Sequence, residues 1–348
     1  MAIQTQVINP RPRFTKYLLE KEIFSAYPMS VIDVGARGGF EKQWDIYGSQ
    51  GRRIGFESSI EECDSLNSVK TDPHTQYYPI ALHRRRGFKT FNVQPHIASS
   101  SFYKSDQGFV SRFPGWKDLI PNKTERLATT DLDSFVKREL ISQIDFIKLD
   151  IEGAELEVFK GAKKTLQGSL GISTEAVFYP WRKGMPTFTD IDLFLRKFGF
   201  ILFDLPIFHW TRKTLSPLMF TDGVLGPSER GQAIWTQAIY LRDAVRELES
   251  AKLSKKWNVI KILKLASIME LYQLEDCAIE LLIMAETKKI LEGYNVAYLI
   301  DLLTPPLNGQ DVTYAEYVAY IKKEGPPRYI EGRRVSQEEY NRWIKNRK

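Results

Sequence analysis

Cysteine and histidine are scarce in this 348-residue chain, with two and four copies respectively. Cys63 and Cys277 stand far apart and outside any metal-ligand spacing, so neither a disulfide framework nor a zinc site is expected, and each reads as a buried thiol. No run approaches the roughly 18 apolar residues of a membrane-spanning helix. The opening MAIQTQVINPRPRF lacks the apolar centre of a secretory signal. A soluble, cytoplasmic protein is the expectation. Nor does one sign of charge dominate: 49 Lys and Arg face 43 Asp and Glu, a net +6 that suits an anionic partner but gives nucleic acid no support.

What is present is an ordinary globular balance, 43% hydrophobic and 26% charged, in a chain longer than one core usually requires. A first helix is expected over Phe14 to Ala26, covering the sheet edge. Strands are expected at Ser30 to Val34, Gly51 to Glu57, Tyr77 to Leu82, Lys89 to Val93, Asp145 to Asp150, Ile172 to Phe178, Phe200 to Leu205 and Ala238 to Leu241. Helical spacing marks Thr130 to Leu140, Glu152 to Leu166 and Asp190 to Phe198. Alternation of this kind describes a mainly parallel sheet with helices on both faces, whose ligands sit beyond the carboxyl ends of the strands. After Arg242 the strands stop. Trp257 to Tyr272, Gln273 to Glu286 and Ile290 to Leu303 read as helices, and the tail after Pro305 as an irregular basic wrap with a short terminal helix. The organisation expected is a lead and helix over 1–29, an α/β domain over 30–242 and a helical C-terminal extension over 243–348.

The most informative segment is VIDVGARGGF, residues 31–40, where a strand delivers Asp33 into a turn holding Gly35, Gly38 and Gly39. Glycines there let backbone approach a nucleoside cofactor closely, and free N–H groups beyond the turn suit its carboxylate. Glu57 ends the next strand, placed to accept hydrogen bonds from a ribose diol. A second motif, DFIKLDIEGAELEVFKGA over 145–162, sets Asp150 and Glu152 at the carboxyl end of a central strand.

This second stretch resembles the FkbM methyltransferases, which show Asp-Phe-x-Lys-x-Asp-x-Glu-Gly-x-Glu, matched by Asp145, Phe146, Lys148, Asp150, Glu152, Gly153 and Glu155. The resemblance extends over roughly 30–240, through Asp33, Glu57, Ser99 to Phe102, Thr130 to Asp133 and Glu175. It implies a Rossmann-like class I methyltransferase sheet with S-adenosylmethionine as cofactor. On that reading Gly35 and Gly39 lie under the methionine part, Asp33 braces the turn, and Glu57 holds the ribose. Ala36, Arg37, Ser58 and Asp150 complete the cofactor set, with Ala81 and Leu82 near the adenine by strand order. Two positions depart from the family: Arg37 replaces a small polar residue, and Ser58 a proline.

Methyl transfer to oxygen is an in-line displacement, so alignment supplies much of the rate, and a general base adds roughly 10²–10⁴-fold. Asp150 and Glu152 are the leading bases, with His83 as a further candidate and His96 and His209 as lesser ones. Glu152 could instead serve the helix macrodipole. Asp150, Glu152 and Glu175 could together hold a divalent ion, though no metal is expected. Tyr179 and Trp181 are either a substrate wall or core, and the Arg84-Arg85-Arg86 run is read as a solvated turn rather than a phosphate loop. The expected acceptor is a hydroxyl of a glycan or related small molecule, with an anionic one compatible. A homodimer through the C-terminal helices is left open. The rivals are a nicotinamide-dependent oxidoreductase and a non-catalytic binding or scaffold protein.

Overall fold

The computed structural model describes residues 8–70, 72–215, 231–307, 309–325, 328–330, 333–335 and 337–345. The first seven residues of the lead, and 326–327, 331–332, 336 and 346–348 of the tail, lie outside the described residues.

Among the described residues eleven strands precede the C-terminal helices: β1 Met29–Val34, β2 Gly51–Phe56, β3 Thr75–Tyr78, β4 Ala81–Leu82, β5 Gly87–Val93, β6 Lys123–Thr130, β7 Phe146–Leu149, β8 Gly171–Val177, β9 Phe200–Asp204, β10 Ile207–Trp210 and β11 Gln232–Arg242. The main sheet runs β3-β2-β1-β7-β8-β11-β10, with β9 also on β11. Strands β3, β2, β1, β7 and β8 are parallel, and β11 is antiparallel to β8. The strand order reverses between β1 and β7, which opens a crevice at their carboxyl ends. β4, β5 and β6 form a separate small sheet.

The helices are α1 Arg13–Glu20, α2 Ile60–Val69, α3 Gln107–Val110, α4 Leu132–Arg138, α5 Glu155–Lys160, α6 Lys163–Gly168, α7 Phe188–Arg196, α8 Ala244–Glu249, α9 Val259–Leu271, α10 Glu275–Thr287, α11 Val296–Leu303, α12 Tyr314–Glu324 and α13 Gln337–Lys345. The strands of the central sheet are buried on both faces. Ile32, Ile54 and Ile147 pack with Phe135 of α4, Phe159 of α5 and Leu195 of α7. On the other face Val31, Phe146 and Ile239 pack with Phe14 of α1, Ile262 and Leu265 of α9 and Leu281 of α10. The expected α/β sheet with helices on both faces and a helical C-terminal region is therefore present, and the C-terminal helices share a core with the sheet. Among the described residues no helix is long and apolar enough to cross a membrane.

Several elements differ from expectation. The strand expected over Tyr77 to Leu82 splits at Pro79 into β3 and β4, which join different sheets; proline has no N–H to give the ladder. The helix expected over Glu152 to Leu166 breaks at Gly161, where a Cβ would stand 2.6 Å from the His83 carbonyl oxygen. Asp133 then caps the second piece by accepting from Lys164 N and Thr165 N, each at 2.8 Å. Leu156, Phe159, Ala162 and Leu166 stay buried regardless. Thr130 ends β6, an unforeseen strand, and Asp131 is the cap of α4, accepting from Ser134 N at 2.8 Å. The short strand at Ala238 grows into the eleven-residue β11, paired with an unforeseen β10. The helix expected from Ile290 begins at Val296 behind the Asn295 cap. The tail carries two regular helices and a hairpin of β12 Arg328–Ile330 with β13 Arg333–Val335. α1 stops at Glu20 and packs on α9 and α11 instead of a sheet edge. Cys63 is buried, but Cys277 only half so.

Candidate active site

Strand register decides which side chains meet. Phe56, Val34, Leu149 and Thr174 are successive partners across β2, β1, β7 and β8. The next residue on each chain is Glu57, Gly35, Asp150 and Glu175, so one glycine and three acids form a row along the crevice.

Gly35 belongs in this row for a steric reason. Its φ is +88°, and a Cβ there would stand 2.0 Å from the Asp150 carbonyl oxygen. The turn is tied down by Gly35 N and Ala36 N, which both donate to Phe56 O at 2.9 and 3.0 Å, and by Gly39 N donating to Ala36 O. Ala36 is buried beside Cys63 and Tyr77.

Asp33 lies directly behind the turn, 2% exposed. Lys148 Nζ stands 3.1 Å from its Oδ1 and 3.7 Å from Asp150 Oδ2. Asp33 Oδ1 nevertheless has no well-aligned hydrogen bond. Burial raises the Asp33 carboxyl to about 6, against the pull of Lys148. Burial pushes Lys148 down, but Asp33, Asp150 and Glu41 outweigh it and hold the ammonium above its ordinary value. At neutral pH both are charged.

Glu57 is 6% exposed. Its Oε1 accepts from Ser59 N at 2.8 Å and stands 3.4 Å from Ser58 Oγ, while its Oε2 faces Arg37 Nε at 3.7 Å. Arg37 also pairs with Glu62 at 3.3 Å, and Glu62 accepts from Gly38 N at 3.1 Å. Both departures from the family pattern therefore touch the same acid. Ala81 and Leu82 are buried at the start of the small sheet, where Leu82 packs in the core with Phe135.

The acids beyond β7 and β8 are held differently. Asp150 is the exposed member, its side chain 47% accessible. Glu152 takes a positive φ of 62°. Arg182 fixes it there: Nη2 pairs with Glu152 Oε2 at 2.8 Å and donates to Ser99 O, and Nη1 donates to Glu152 O. Ser101 Oγ donates to Glu152 O at 2.7 Å. This places Glu152 outside α5, because the first turn it was expected to serve starts at Glu155, whose Oε1 accepts from Ile151 N and Gly153 N. Burial raises Glu152, against the pull of Arg182, and carries Glu155 to about 7. Glu175 is raised well above its ordinary value by burial and by Glu152, Asp150 and Glu155, and its Oε2 is buried without a partner. Among the described residues no three His, Cys, Asp or Glu side chains could hold a metal ion.

His83 is buried against Phe102, with Nε2 3.9 Å from Glu157 and Nδ1 unpartnered; burial lowers its pKa, so it is neutral. His96 bonds to Ser99 on the surface, and His209 lies in β10. Trp181 is core, 3% exposed under Arg182, whereas Tyr179 is 45% exposed and stacks on Phe109. The arginine run is an exposed turn in which Arg84 pairs with Glu157. Sequence reasoning missed Arg182 altogether; the one available signal was its place directly after Trp181, a residue already singled out.

Solved structures overlap the chain loosely. A magnesium protoporphyrin IX methyltransferase from Synechocystis PCC 6803 with bound SAM has a TM-score of 0.31 and 7% identity, over 67% of this chain and 80% of that one. A S-adenosylmethionine-dependent methyltransferase described as putative, from Listeria monocytogenes, has a TM-score of 0.33 and 10% identity, over 66% and 98%. No curated protein matches the chain. Residues 33–202, from the buried aspartate of β1 to the middle of β9, match the family described as Methyltransferase FkbM domain, and the chain carries a domain of that methyltransferase family.

Proposed function

We propose that this protein transfers a methyl group from S-adenosylmethionine to a hydroxyl of a sugar or related small molecule. The observation that carries the reading is the row of Glu57, Gly35, Asp150 and Glu175 at the switch point, with Asp33 behind it. The residues suit the donor. The glycine turn leaves backbone open to a ligand, and the buried Asp33 oxygen directly behind it lacks an aligned donor. Asp33, Gly35, Ala36, Arg37 and Gly39 would hold the methionine end, and Glu57 with Ser58 the ribose.

When bound, the donor supplies a methyl group already activated on a sulfonium. The protein's own residues supply alignment and a proton acceptor. Asp150 is the exposed carboxylate of the row, two residues before Glu152 and beside Lys148, and it would take the proton of the incoming hydroxyl. Glu152, gripped by Arg182, would orient that hydroxyl. His83 could relay the proton only through a partner, because its ring is buried against Phe102. The nicotinamide reading fits less well: among the described residues the turn of Gly35 to Gly39 is not repeated along the sheet, and β11 runs antiparallel to β8 instead of building a second nucleotide half.

Titration with S-adenosylmethionine and S-adenosylhomocysteine tests the donor, and mass-shift assays over a sugar panel test the acceptor. Asp150→Asn should cut transfer by roughly 10²–10⁴-fold while leaving S-adenosylhomocysteine affinity within a few fold. A wild-type chain with no affinity for either compound would sink the proposal.

A further inference from the structure

Beyond the row of acids, the segments packed beside Trp181 and Arg182 bring two arginines together. Asp106 N donates to Trp181 O at 2.9 Å, and Ser105 bridges to Arg182. The segment bearing α3 therefore hangs from Arg182, which grips Glu152, and from its neighbour Trp181. On it, Phe109 collects two guanidinium groups: Arg112 stands 5.8 Å and Arg212 5.6 Å from its ring centroid. Arg212 also lies 4.3 Å over Phe113 and donates to Gln232 through Nη2. Its Nη1 is buried with no hydrogen-bond partner, and neither arginine meets a carboxylate among the described residues. Arg112 backbone O accepts from Lys213 N, which locks the two segments together. Burial and the charge of Arg112 lower Arg212. Two like charges converging on one ring repel each other unless an anion lies between them. The same ring is stacked by the exposed Tyr179, with centroids 4.4 Å apart.

We propose that Arg112, Arg212 and Tyr179 form a subsite for the phosphate and ring of a phosphorylated sugar, the acceptor of the reaction proposed above, on which this inference rests. Arginine suits the role because its planar fork matches a phosphate, and the aromatic bed beneath holds the fork in place. Tyr179 offers the amphipathic wall that a sugar ring packs against.

The test is titration of the full chain with glucose 1-phosphate, inorganic phosphate and glucose, with S-adenosylhomocysteine titrated in parallel. Glucose 1-phosphate should bind about tenfold more tightly than either fragment, since charge and ring act together. Arg112→Gln with Arg212→Gln should weaken it by about tenfold or more. Arg84→Gln with Arg85→Gln should leave it unchanged, as should S-adenosylhomocysteine affinity in every variant. Should the double variant misfold by circular dichroism, Arg212→Lys keeps the charge, removes the fork, and should still weaken binding. Equal binding by the arginine variants, no binding of glucose 1-phosphate by the wild type, or binding confined to phosphatidylglycerol vesicles would each overturn the subsite. Failure of S-adenosylhomocysteine alone to bind would instead remove the methyltransferase reading.

Discussion

Strands β1 and β7 carry a buried lysine–aspartate pair at each end, and the two pairs are built to opposite purposes. At the amino end Lys264 of α9 reaches Asp145 at 2.5 Å, and both side chains are almost fully buried. Both charged side chains there are engaged: Asp145 also accepts from Ser30 N and Gln143 Nε2, and Lys264 donates to Pro28 O. At the carboxyl end Lys148 and Asp33 sit 3.1 Å apart with poor alignment, and a third charge, Asp150, shares the lysine. The first pair rivets the C-terminal helices to the sheet. The second leaves hydrogen-bonding capacity unspent beside the glycine turn, which is where a ligand would use it.

Breaking the rivet should have the largest effect. Lys264→Met leaves the Asp145 carboxylate buried with only neutral donors, and loss of one partner of a buried pair costs about 3–5 kcal/mol. Urea unfolding should show that loss, while the folded fraction still binds S-adenosylhomocysteine at wild-type affinity. Asp33→Asn should reverse the pattern. Lys148 keeps Asp150 as a neighbour, so the stability cost should stay below about 2 kcal/mol, but donor affinity should fall by about tenfold or more. Equal stability losses in the two variants would erase the distinction between the pairs.

Legibility in the sequence follows the same division. β1, the glycine turn, Glu57 and the motif around Asp150 were readable because each is a local pattern: a buried strand, a positive-φ turn, an acid at a strand end. Pro79 and Gly161 were visible too, but what they did was not. Whether Pro79 bends a strand or sends its halves to separate sheets, and whether Gly161 sits in a helix or ends one, depends on which backbone packs alongside. Arg182 was unreadable for a stronger reason. It is one of 49 basic residues, and its role exists only because folding brings Ser99 and Glu152 to it. The burial of Glu175 among other acids likewise follows from the β8 register with β7 and β11, which no local pattern encodes.

A pH series sharpens the comparison at the carboxyl end. Asp33 titrates near 6 in the folded chain against 3.8 ordinarily, so the native state holds its proton more tightly than the unfolded chain does. Its contribution to stability is therefore greatest at low pH, declines as pH rises from about 4 to about 6, and is flat above that. Donor affinity needs the carboxylate and should move the other way, dropping as pH falls through about 6. The difference between wild type and Asp33→Asn isolates both trends from the other acids. If the difference in unfolding free energy shows no slope in that window, Asp33 is not the titrating group.

The smallest effect concerns Arg37, which departs from the family pattern at the one acid expected to meet the ribose. Its guanidinium is a third exposed and stands 3.7 Å from Glu57, and it has Glu62 at 3.3 Å as an alternative partner. A pair 3.7 Å apart whose arginine is a third exposed is worth no more than about 0.2–1 kcal/mol and is screened by salt. A ribose diol that engages Glu57 must compete with Arg37, yet the arginine can relax onto Glu62, so the penalty should stay below about fivefold in affinity. Arg37→Gln should therefore bind S-adenosylhomocysteine up to about fivefold more tightly, and its affinity should respond less to added salt than the wild type's. Weaker binding by Arg37→Gln would mean instead that the guanidinium turns toward the ligand and has become part of the grip on it.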